Sequence, residues 1–214
     1  MEKRSQVEPT DDARLVELAK AGDAAAIAEV YTRHERRLHR MVEARLDRRV
    51  RARIDPSDVL QEAYADVQSR LGEYLAEPKI PLFLWLRLIV GERLIRIHRQ
   101  HLGAHMRNAE REVSLFRGSL PAVSSMAIAN HLLGRHTSPT QAAIRAERLH
   151  RLQTALDSLP PLDREILSLR QFEELSTVEA ARVLGIQESA AAKRYIRAMQ
   201  KLKQVLESDG SEGF

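Results

Sequence analysis

Apolar residues recur along most of this 214-residue chain at intervals of three and four positions, the periodicity of helices that bury one face. The clearest stripe predicts a long helix from Asp23 or Ala24 to about Leu46. Its apolar members are Ile27, Val30, Tyr31, Leu38, Met41 and Val42. A shorter amphipathic helix over residues 13–21 precedes it and ends at Gly22, because glycine readily adopts the left-handed conformation of a helix C-cap.

Asp55 and Pro56 predict the start of a third helix, because aspartate caps free helix amides and proline is favoured at the first helical position. We expect this helix to end at about Leu71. The stretch Gly72–Pro81 contains two prolines and is predicted to be a loop. A largely apolar helix over about residues 82–102 follows it.

The second half of the chain begins with a less regular stretch. Residues 103–138 have weak periodicity, so we interpret them as a linker that contains a short helix at 124–133. The run Ser138–Gln141 is a capping box with proline at the first helical position, which predicts a helix to about Leu156. Pro160–Pro161 ends that helix, and three more helices are expected.

These elements predict two helical domains, residues 13–102 and 139–206, joined by the linker at 103–138. The polar ends, residues 1–12 and 207–214, are expected to be flexible tails.

Composition supports an all-α fold, because aromatic residues make up only 4% of a chain that is 43% hydrophobic. The chain has no cysteine, which excludes disulfides and cysteine-bound zinc and fits a reducing compartment. Its longest apolar stretch, residues 82–90, is interrupted by Arg87 and is far shorter than the roughly 20 residues that span a bilayer. The polar N-terminus lacks the apolar core of a secretory signal. We therefore expect a cytoplasmic protein with no membrane insertion.

Residues 163–203 have the pattern of a helix-turn-helix. Ser176 and Glu179 mark a second capping box, Gly185 supplies a tight turn, and the last helix starts near Gln187. A buried stripe on the last helix is predicted from Ala191, Tyr195, Ala198 and Leu202.

The other faces of the last helix carry the residues that we predict to contact DNA: Ser189, Lys193, Arg194, Arg197 and Lys201. Lysine and arginine can neutralise phosphates, and Ser189 lies near the end that enters the major groove. The alternative is a helical hairpin whose basic surface has no role in DNA binding.

Charge alternates in blocks along the chain. Residues 33–53 carry nine arginines against three acidic residues, whereas residues 55–77 carry six acidic residues against one arginine. Residues 79–111 and 187–203 have net charges of +5 and +4. Such blocks indicate surfaces that meet an anion in some places and a basic partner in another, although each block taken singly is also compatible with a solvated helix face.

Three runs in the first half, AGDAAAIAEVYTRH (21–34), DPSDVLQEAYADV (55–67) and LFLWLRLIV (82–90), resemble region 2 of bacterial RNA polymerase sigma factors. Residues 156–203 resemble region 4 of the same family. With only a linker between the two regions, the chain is most similar to the extracytoplasmic-function (ECF) group of the sigma-70 family. The resemblance covers about residues 21–102 and 140–206.

The resemblance implies a promoter-recognition subunit without catalytic residues or a cofactor, whose partners are core RNA polymerase and promoter DNA. The helix after Pro56 would bind the clamp helices of the β′ subunit, and the second domain would meet the β flap. Its predicted polymerase-binding residues are Asp58, Gln61, Glu62 and Asp66. An anti-sigma factor is a further partner that the resemblance admits.

The resemblance also implies that residues 72–102 melt and hold the −10 element, while the helix from Gln187 contacts the −35 element. On the 82–102 helix the candidate DNA contacts are Arg93, Arg96, Arg99 and Gln100. Tyr74 and Lys79 are candidates for holding a flipped base, whose extrusion costs a few kcal/mol. We expect Trp85 to belong to the core.

The chain departs from the family pattern at two places. Glu92-Arg93-Leu94 stands where many members have Asn-Leu-Ala, and Ala190-Ala191-Ala192 replaces a more polar stretch, so a promoter sequence cannot be transferred. The alanines indicate greater reliance on phosphate contacts and DNA shape.

Other functions remain open from the sequence. The main alternative is a stand-alone helix-turn-helix regulator with an N-terminal sensor or dimerisation unit. An enzyme or a metal protein is less compatible, because no histidine lies at helical spacing beside the paired carboxylates, and His131 and His136 match no established metal-site spacing.

Overall fold

A computed structural model describes residues 9–102, 120–134 and 142–207 of the chain. Within these ranges the structure consists of ten helices and contains no strand, so the prediction of an all-α fold is confirmed. The first domain contains α1 (Pro9–Lys20), α2 (Ala24–Arg45), α3 (Arg48–Arg51), α4 (Pro56–Ala76) and α5 (Leu82–Leu102). Helix α6 (Ser125–Leu133) lies in the linker. The second domain contains α7 (Ala142–Asp157), α8 (Pro161–Gln171), α9 (Thr177–Leu184) and α10 (Glu188–Glu207).

The predicted helix starts are formed by side-chain caps. The Asp23 side chain accepts a hydrogen bond from the Ala25 amide and caps α2. At α4, Asp55 accepts from the Ser57 amide while Asp58 accepts from the Asp55 amide at 3.1 Å, which completes a capping box.

The boundaries of three helices differ from the prediction. Helix α1 begins at Pro9 rather than at residue 13, so residues 9–12 are helical and not part of the tail that was expected to extend to residue 12. Helix α4 continues to Ala76 rather than ending at Leu71, because Leu71, Tyr74 and Leu75 extend its core-facing side. Gly72 lies inside the helix, and the position that a Cβ would occupy there faces open space. The short helix α3 was not predicted. The predicted capping box at 138–141 lies outside the described residues.

The core of the first domain lies between α2, α4 and α5. Residues of the predicted α2 stripe, such as Val30, Leu38 and Val42, are fully buried. The Tyr31 hydroxyl crosses this core and donates to the Leu60 carbonyl at 2.7 Å, so that α2 is joined to α4 by a buried hydrogen bond.

The second domain packs α7, α8 and α9 around the apolar stripe of α10. Ala191 and Ala198 are fully buried and Leu202 is 2% exposed, as the periodicity predicted. Small alanine side chains let α10 lie close to its neighbours, which fixes the orientation of its basic face.

The linker segment 120–134 packs against both domains. The Ser124 amide donates to the Ala44 carbonyl at 3.0 Å, and the His131 ring lies 4.5 Å from the Phe172 ring. Leu120 approaches the position that a Cβ at Gly91 would occupy to 2.5 Å, so the glycine in α5 is what admits this leucine.

Candidate nucleic-acid and partner interfaces

Helix α10 presents the basic face that the sequence predicted. Ser189, Lys193, Arg197 and Lys201 are all exposed. Among the described residues none of the three cations forms an ion pair. Their charges are therefore available to phosphates, for which multiple lysine and arginine contacts are the usual source of affinity.

Helix α9, the turn at Gly185 and α10 together have the backbone arrangement of a helix-turn-helix, as their sequence pattern predicted. Gly185 adopts the left-handed conformation with φ of 62°, and the Ile186 amide donates to the Ala181 carbonyl at 3.0 Å. The reciprocal capping box between Ser176 and Glu179 starts α9. The conformation of this turn thus fixes the direction of α10 relative to α9.

Arg194 is in a different environment from its neighbours on α10. Its Nη1 atom donates to Oδ1 of Asp163 at 2.7 Å, and that carboxylate residue is 1% exposed. Removing Arg194 would leave a buried charge without its partner, so this arginine stabilises the α8–α10 contact. This ion pair engages Arg194 within the domain, and its predicted contact with DNA stays a prediction.

The acidic face of α4 is exposed over most of its length. Asp58, Gln61 and Glu62 are exposed, whereas Asp66 is partly covered. Asp58 also completes the cap of α4, so its carboxylate is held at the N-terminal end of the helix. This face offers two carboxylates and an amide to a basic or hydrogen-bonding partner.

Arg93 of α5 lies against this acidic face. Its Nε and Nη2 atoms donate to Oδ2 of Asp66 at 2.8 and 2.6 Å, and Nη1 donates to Glu62 at 3.3 Å. The Arg93 side chain is only 18% exposed. The pairing relieves the repulsion that two acids four residues apart on a helix exert on each other, and it engages an arginine that was predicted to contact DNA.

The remaining candidates on α5 are accessible. Arg96, Arg99 and Gln100 are exposed, and Arg96 comes no nearer than 4.0 Å to Asp66. They lie towards the C-terminal end of the helix, beyond the ion pair of Arg93. The accessible basic surface of α5 is therefore its C-terminal end.

The two loop candidates differ in exposure. Tyr74 is 6% exposed, its hydroxyl donates to the Ile80 carbonyl at 3.0 Å, and its ring stacks on Trp85 with centroids 4.5 Å apart. Burial raises the pKa of Tyr74 above its ordinary value. Lys79 is exposed and its Nζ lies 3.1 Å from a carboxylate oxygen of Glu77. The structure thus gives Tyr74 a packing role and leaves Lys79 accessible.

A group of buried charges between the domains was not predicted. Arg45 and Arg87 of the first domain meet Glu165 and Glu173 of the second. The only sequence signal was an arginine interrupting the apolar run at position 87. Nothing in the local pattern indicated which acids would pair with it, because the partners lie 78 or more residues away along the chain.

The described residues offer no group of three or more histidine, cysteine or carboxylate side chains that could hold a metal ion. None of the helices in these ranges is long and apolar enough to cross a membrane.

Comparison with known proteins agrees with this arrangement. The family described as Sigma-70, region 4 matches residues 149–202. The chain is 29% identical to the ECF RNA polymerase sigma factor SigD of Mycobacterium tuberculosis, over 92% of the chain and 84% of SigD. It is 24% identical to the ECF RNA polymerase sigma factor BldN of Streptomyces coelicolor, over 94% of the chain and 69% of BldN.

The fold has a counterpart among solved structures. The structure of CnrH in complex with the cytosolic domain of CnrY matches with a TM-score of 0.54 and 22% identity, covering 93% of this chain and 99% of that one. CnrH is an RNA polymerase sigma factor of Cupriavidus metallidurans. At this identity the structural likeness concerns the fold.

Proposed function

Because this chain belongs to the ECF group of RNA polymerase sigma factors, we propose that it binds core RNA polymerase and directs promoter recognition and melting. The observation that carries this proposal is the presence of two chemically opposite surfaces on one chain. The first domain has the exposed acidic face of α4, and the second has the unpaired cations of α10 among the described residues. A stand-alone DNA-binding regulator has no need of the acidic face.

The acidic face of α4 is the proposed docking site for the clamp helices of the polymerase β′ subunit. Asp58, Gln61 and Glu62 are its accessible members. Asp66 contributes indirectly, since its carboxylate is engaged with Arg93 and holds α4 against α5. The second domain is proposed to meet the β flap.

The −35 element is the proposed target of α10. Lys193, Arg197 and Lys201 would neutralise phosphates along the groove, with Ser189 near the end of the helix that enters it. Few side chains on this helix can read base edges, because positions 190–192 are alanine. Sequence preference should therefore depend partly on DNA shape.

The −10 element is the proposed target of the first domain. Arg96, Arg99 and Gln100 lie exposed at one end of α5, and Lys79 lies exposed in the loop before it. Arg93 and Tyr74 are left out of this surface because each is already engaged within the domain.

A separate inhibitory partner is also proposed. CnrH, which shares the fold, was solved in complex with the cytosolic domain of CnrY. By analogy this chain would be held by an anti-sigma factor until polymerase is to be engaged.

The proposal is tested by a pull-down with purified core polymerase. Gln61→Lys combined with Glu62→Lys reverses the charge of the α4 face without removing the Asp58 cap, and binding should be lost. Thr154→Lys adds a positive charge to the exposed surface of α7 and serves as the control, which should bind as the wild type does. Absence of wild-type binding, or equal binding by the double variant, would contradict the proposal.

A further inference from the structure

The arginine-rich block at residues 33–53 is divided by the fold into two parts with different surroundings. Several of its nine arginines contact residues of other elements. These are Arg33, Arg37, Arg40 and Arg45. The rest of the block is exposed, and most of it lies on α3 and the turn that follows. The proposed contacts with polymerase and with the two promoter elements involve none of these exposed arginines.

Four exposed arginines lie within six residues at α3 and the turn after it. We call Arg48, Arg49, Arg51 and Arg53 the α3 arginine cluster. Val50 lies among them and is 1% exposed, so it anchors this segment to the core of the first domain. The backbone that carries the cluster is therefore fixed, while the charged side chains extend into solvent.

Acidic neighbours balance only part of this charge. Asp47 forms an ion pair with Arg49 at 3.0 Å, and a carboxylate oxygen of Glu43 lies 3.6 Å from Arg51. The other two members of the cluster have no ion-pair partner among the residues that the structure describes. Like charges so close together repel one another in the free protein. An anionic partner would relieve this repulsion.

The cluster adjoins the accessible basic end of α5. The Asp47 amide donates to Nε2 of His98 at 3.3 Å, so the residue that caps α3 is bonded to α5 near its C-terminal end. Burial lowers the pKa of His98 and the charge of Arg49 lowers it further, because this guanidinium lies near α5. Arg99 and Gln100, which are proposed to contact the −10 element, follow His98 directly and are exposed.

The phosphate backbone of DNA is the partner that this arrangement fits best. Guanidinium groups bind phosphate oxygens through paired hydrogen bonds. Duplex DNA carries one negative charge per about 1.7 Å of its axis, so a series of arginines beside an existing DNA contact can meet several phosphates. Such contacts position the protein on the duplex and do not require a particular base sequence.

The course of the chain indicates which part of the promoter would lie at α3. Helix α5 ends at Leu102, and from this end the chain continues towards the second domain, for which the −35 element is the proposed target. The duplex that joins the two promoter elements should therefore leave the first domain past the C-terminal end of α5. That end is the one against which α3 packs.

We propose that the α3 arginine cluster binds backbone phosphates of the duplex between the −10 and −35 elements. This inference rests on the proposed function and adds a third DNA-contacting surface to it. The contact would supply affinity without sequence preference. It would complement α10, where alanines at positions 190–192 leave few side chains that can read base edges.

The first test removes the two unpaired charges of the cluster. Arg48→Ala combined with Arg53→Ala leaves the Asp47 cap and Val50 in place. Holoenzyme formed with core polymerase should bind a promoter fragment that it transcribes about tenfold more weakly when it carries this variant. The slope of log affinity against log salt concentration should fall by about 2, because each lost phosphate contact contributes about 1.

Two further variants separate charge from folding and from a general electrostatic effect. Arg48→Lys combined with Arg53→Lys keeps both charges and should keep most of the wild-type slope. Arg14→Ala combined with Lys20→Ala removes two exposed charges from α1 and is the matched control, whose slope should equal that of the wild type. Circular dichroism should show the same helix content in all three variants.

Modified DNA locates the contact on the promoter. Neutral methylphosphonates in place of the phosphates next to the −10 element, on its −35 side, should weaken binding of the wild-type holoenzyme. They should weaken binding of the double alanine variant much less, because the arginines that meet these phosphates are already absent. The same modification on the opposite side of the −10 element should weaken binding of both proteins equally.

The outcomes distinguish this inference from the proposed function. A reduced slope together with coupling to phosphates on the −35 side supports the inference. A wild-type slope in the double alanine variant, or coupling only on the opposite side, would overturn it and leave the proposed function intact. Loss of binding to core polymerase itself would also overturn it, because polymerase would then be the partner of the cluster.

A wild-type chain that does not bind core polymerase would contradict the proposed function. The salt dependence of the free chain on duplex DNA then tests the arginines alone. A slope that falls by about 2 in the double alanine variant would still support the phosphate contact, whereas an unchanged slope would overturn it.

Discussion

Helices α5 and α10 both carry several basic residues, but the fold surrounds them differently. In α5 eleven residues are buried, and two of its arginines, Arg87 and Arg93, are paired with carboxylates of other helices. In α10 the buried stripe is narrow, and Lys193, Arg197 and Lys201 are exposed without an ion-pair partner among the described residues. Helix α5 is thus a core element with one accessible end, and α10 is a surface element for most of its length.

A block of positive charge in a sequence can therefore correspond to two different kinds of surface. Net charge along a sequence counts every arginine equally, whereas phosphate binding needs cations that are free to leave water for DNA. An arginine that already satisfies a partly buried carboxylate has a stabilising role, and moving it would leave that carboxylate unpaired. Variants on α5 and α10 should therefore differ in their effects on stability and on DNA binding.

The largest expected effect concerns core packing. Leu94→Ala on α5 removes a fully buried side chain and should lower the free energy of unfolding by about 3 kcal/mol. Ile196→Ala on α10 removes an aliphatic side chain that is 54% exposed and should change it by less than about 0.5 kcal/mol. Urea denaturation followed by circular dichroism measures both. Similar losses from the two variants would contradict the division into core and surface helices.

The next effect concerns phosphate contacts by α10. Arg197→Ala should weaken binding of the full chain to duplex DNA and lower the slope of log affinity against log salt concentration by about 1. Lys193→Ala should behave similarly. Arg14→Ala removes an exposed arginine on α1 and is the matched control, whose slope should stay at the wild-type value. Fluorescence anisotropy over a range of salt concentrations would show an unchanged slope for Arg197→Ala if the assignment is wrong.

A smaller effect separates the two kinds of arginine within α5. Arg93→Ala should cost about 1 kcal/mol of stability, because two partly exposed carboxylates lose their partner, without changing the salt dependence of DNA binding in the polymerase complex. Arg96→Ala should lower the salt dependence of DNA binding in the polymerase complex and leave stability nearly unchanged, since the Arg96 side chain is 47% exposed. An equal decrease of the salt slope in both variants would return Arg93 to the DNA-binding surface.

The smallest effect is a dependence of stability on pH that originates in α5. The Asp47 amide donates to Nε2 of the buried His98 at 3.3 Å, and burial lowers the pKa of His98 below 6.5. His98 therefore binds a proton more readily in the unfolded chain than in the folded one. Its contribution to stability is fully present above about pH 6.5 and is lost as the pH falls towards the lower pKa of the folded state. His98→Gln should reduce this slope.

Burial also lowers the pKa of His131, which should contribute a slope of the same sign. The His98→Gln variant should therefore retain the part of the pH dependence of stability that is due to His131, and His131→Gln should retain the part that is due to His98. Denaturation at several pH values between 5 and 8, compared across the two variants and the wild type, separates the contributions. A wild-type slope that persists unchanged in His98→Gln would contradict the role given to that histidine.

Local signals were sufficient to predict much of the fold. The caps at Asp55 and Ser176 and the turn at Gly185 depend on residues within one turn of each helix end, and each is formed as predicted. Helix α2 starts at Ala24, within the predicted range, with Asp23 as its cap. The predicted end of α4 was wrong, because the loop was expected to begin at Gly72 whereas the apolar side of the helix continues through Tyr74. Tertiary packing outweighs the unfavourable helix propensity of Gly72.

The sites were less predictable than the helices, for a physical reason. The exposed residues of α10 follow from its own periodicity, so Lys193 and Arg197 could be found from the sequence. The pairing of Arg93 with Asp66 depends on the register of α4 against α5, and that of Arg194 with Asp163 on the packing of α8 against α10. Predicting such contacts requires knowing which helix faces meet, and the local sequence pattern does not contain this information.

If this chain is a sigma factor, it should make core polymerase start transcription at particular promoters, which reconstituted run-off transcription measures. Purified core polymerase and the wild-type chain should produce discrete transcripts from a small subset of a promoter-fragment library. The Gln61→Lys and Glu62→Lys double variant should produce none, while Thr154→Lys should match the wild type. Transcripts that are the same with and without the chain would contradict the claim.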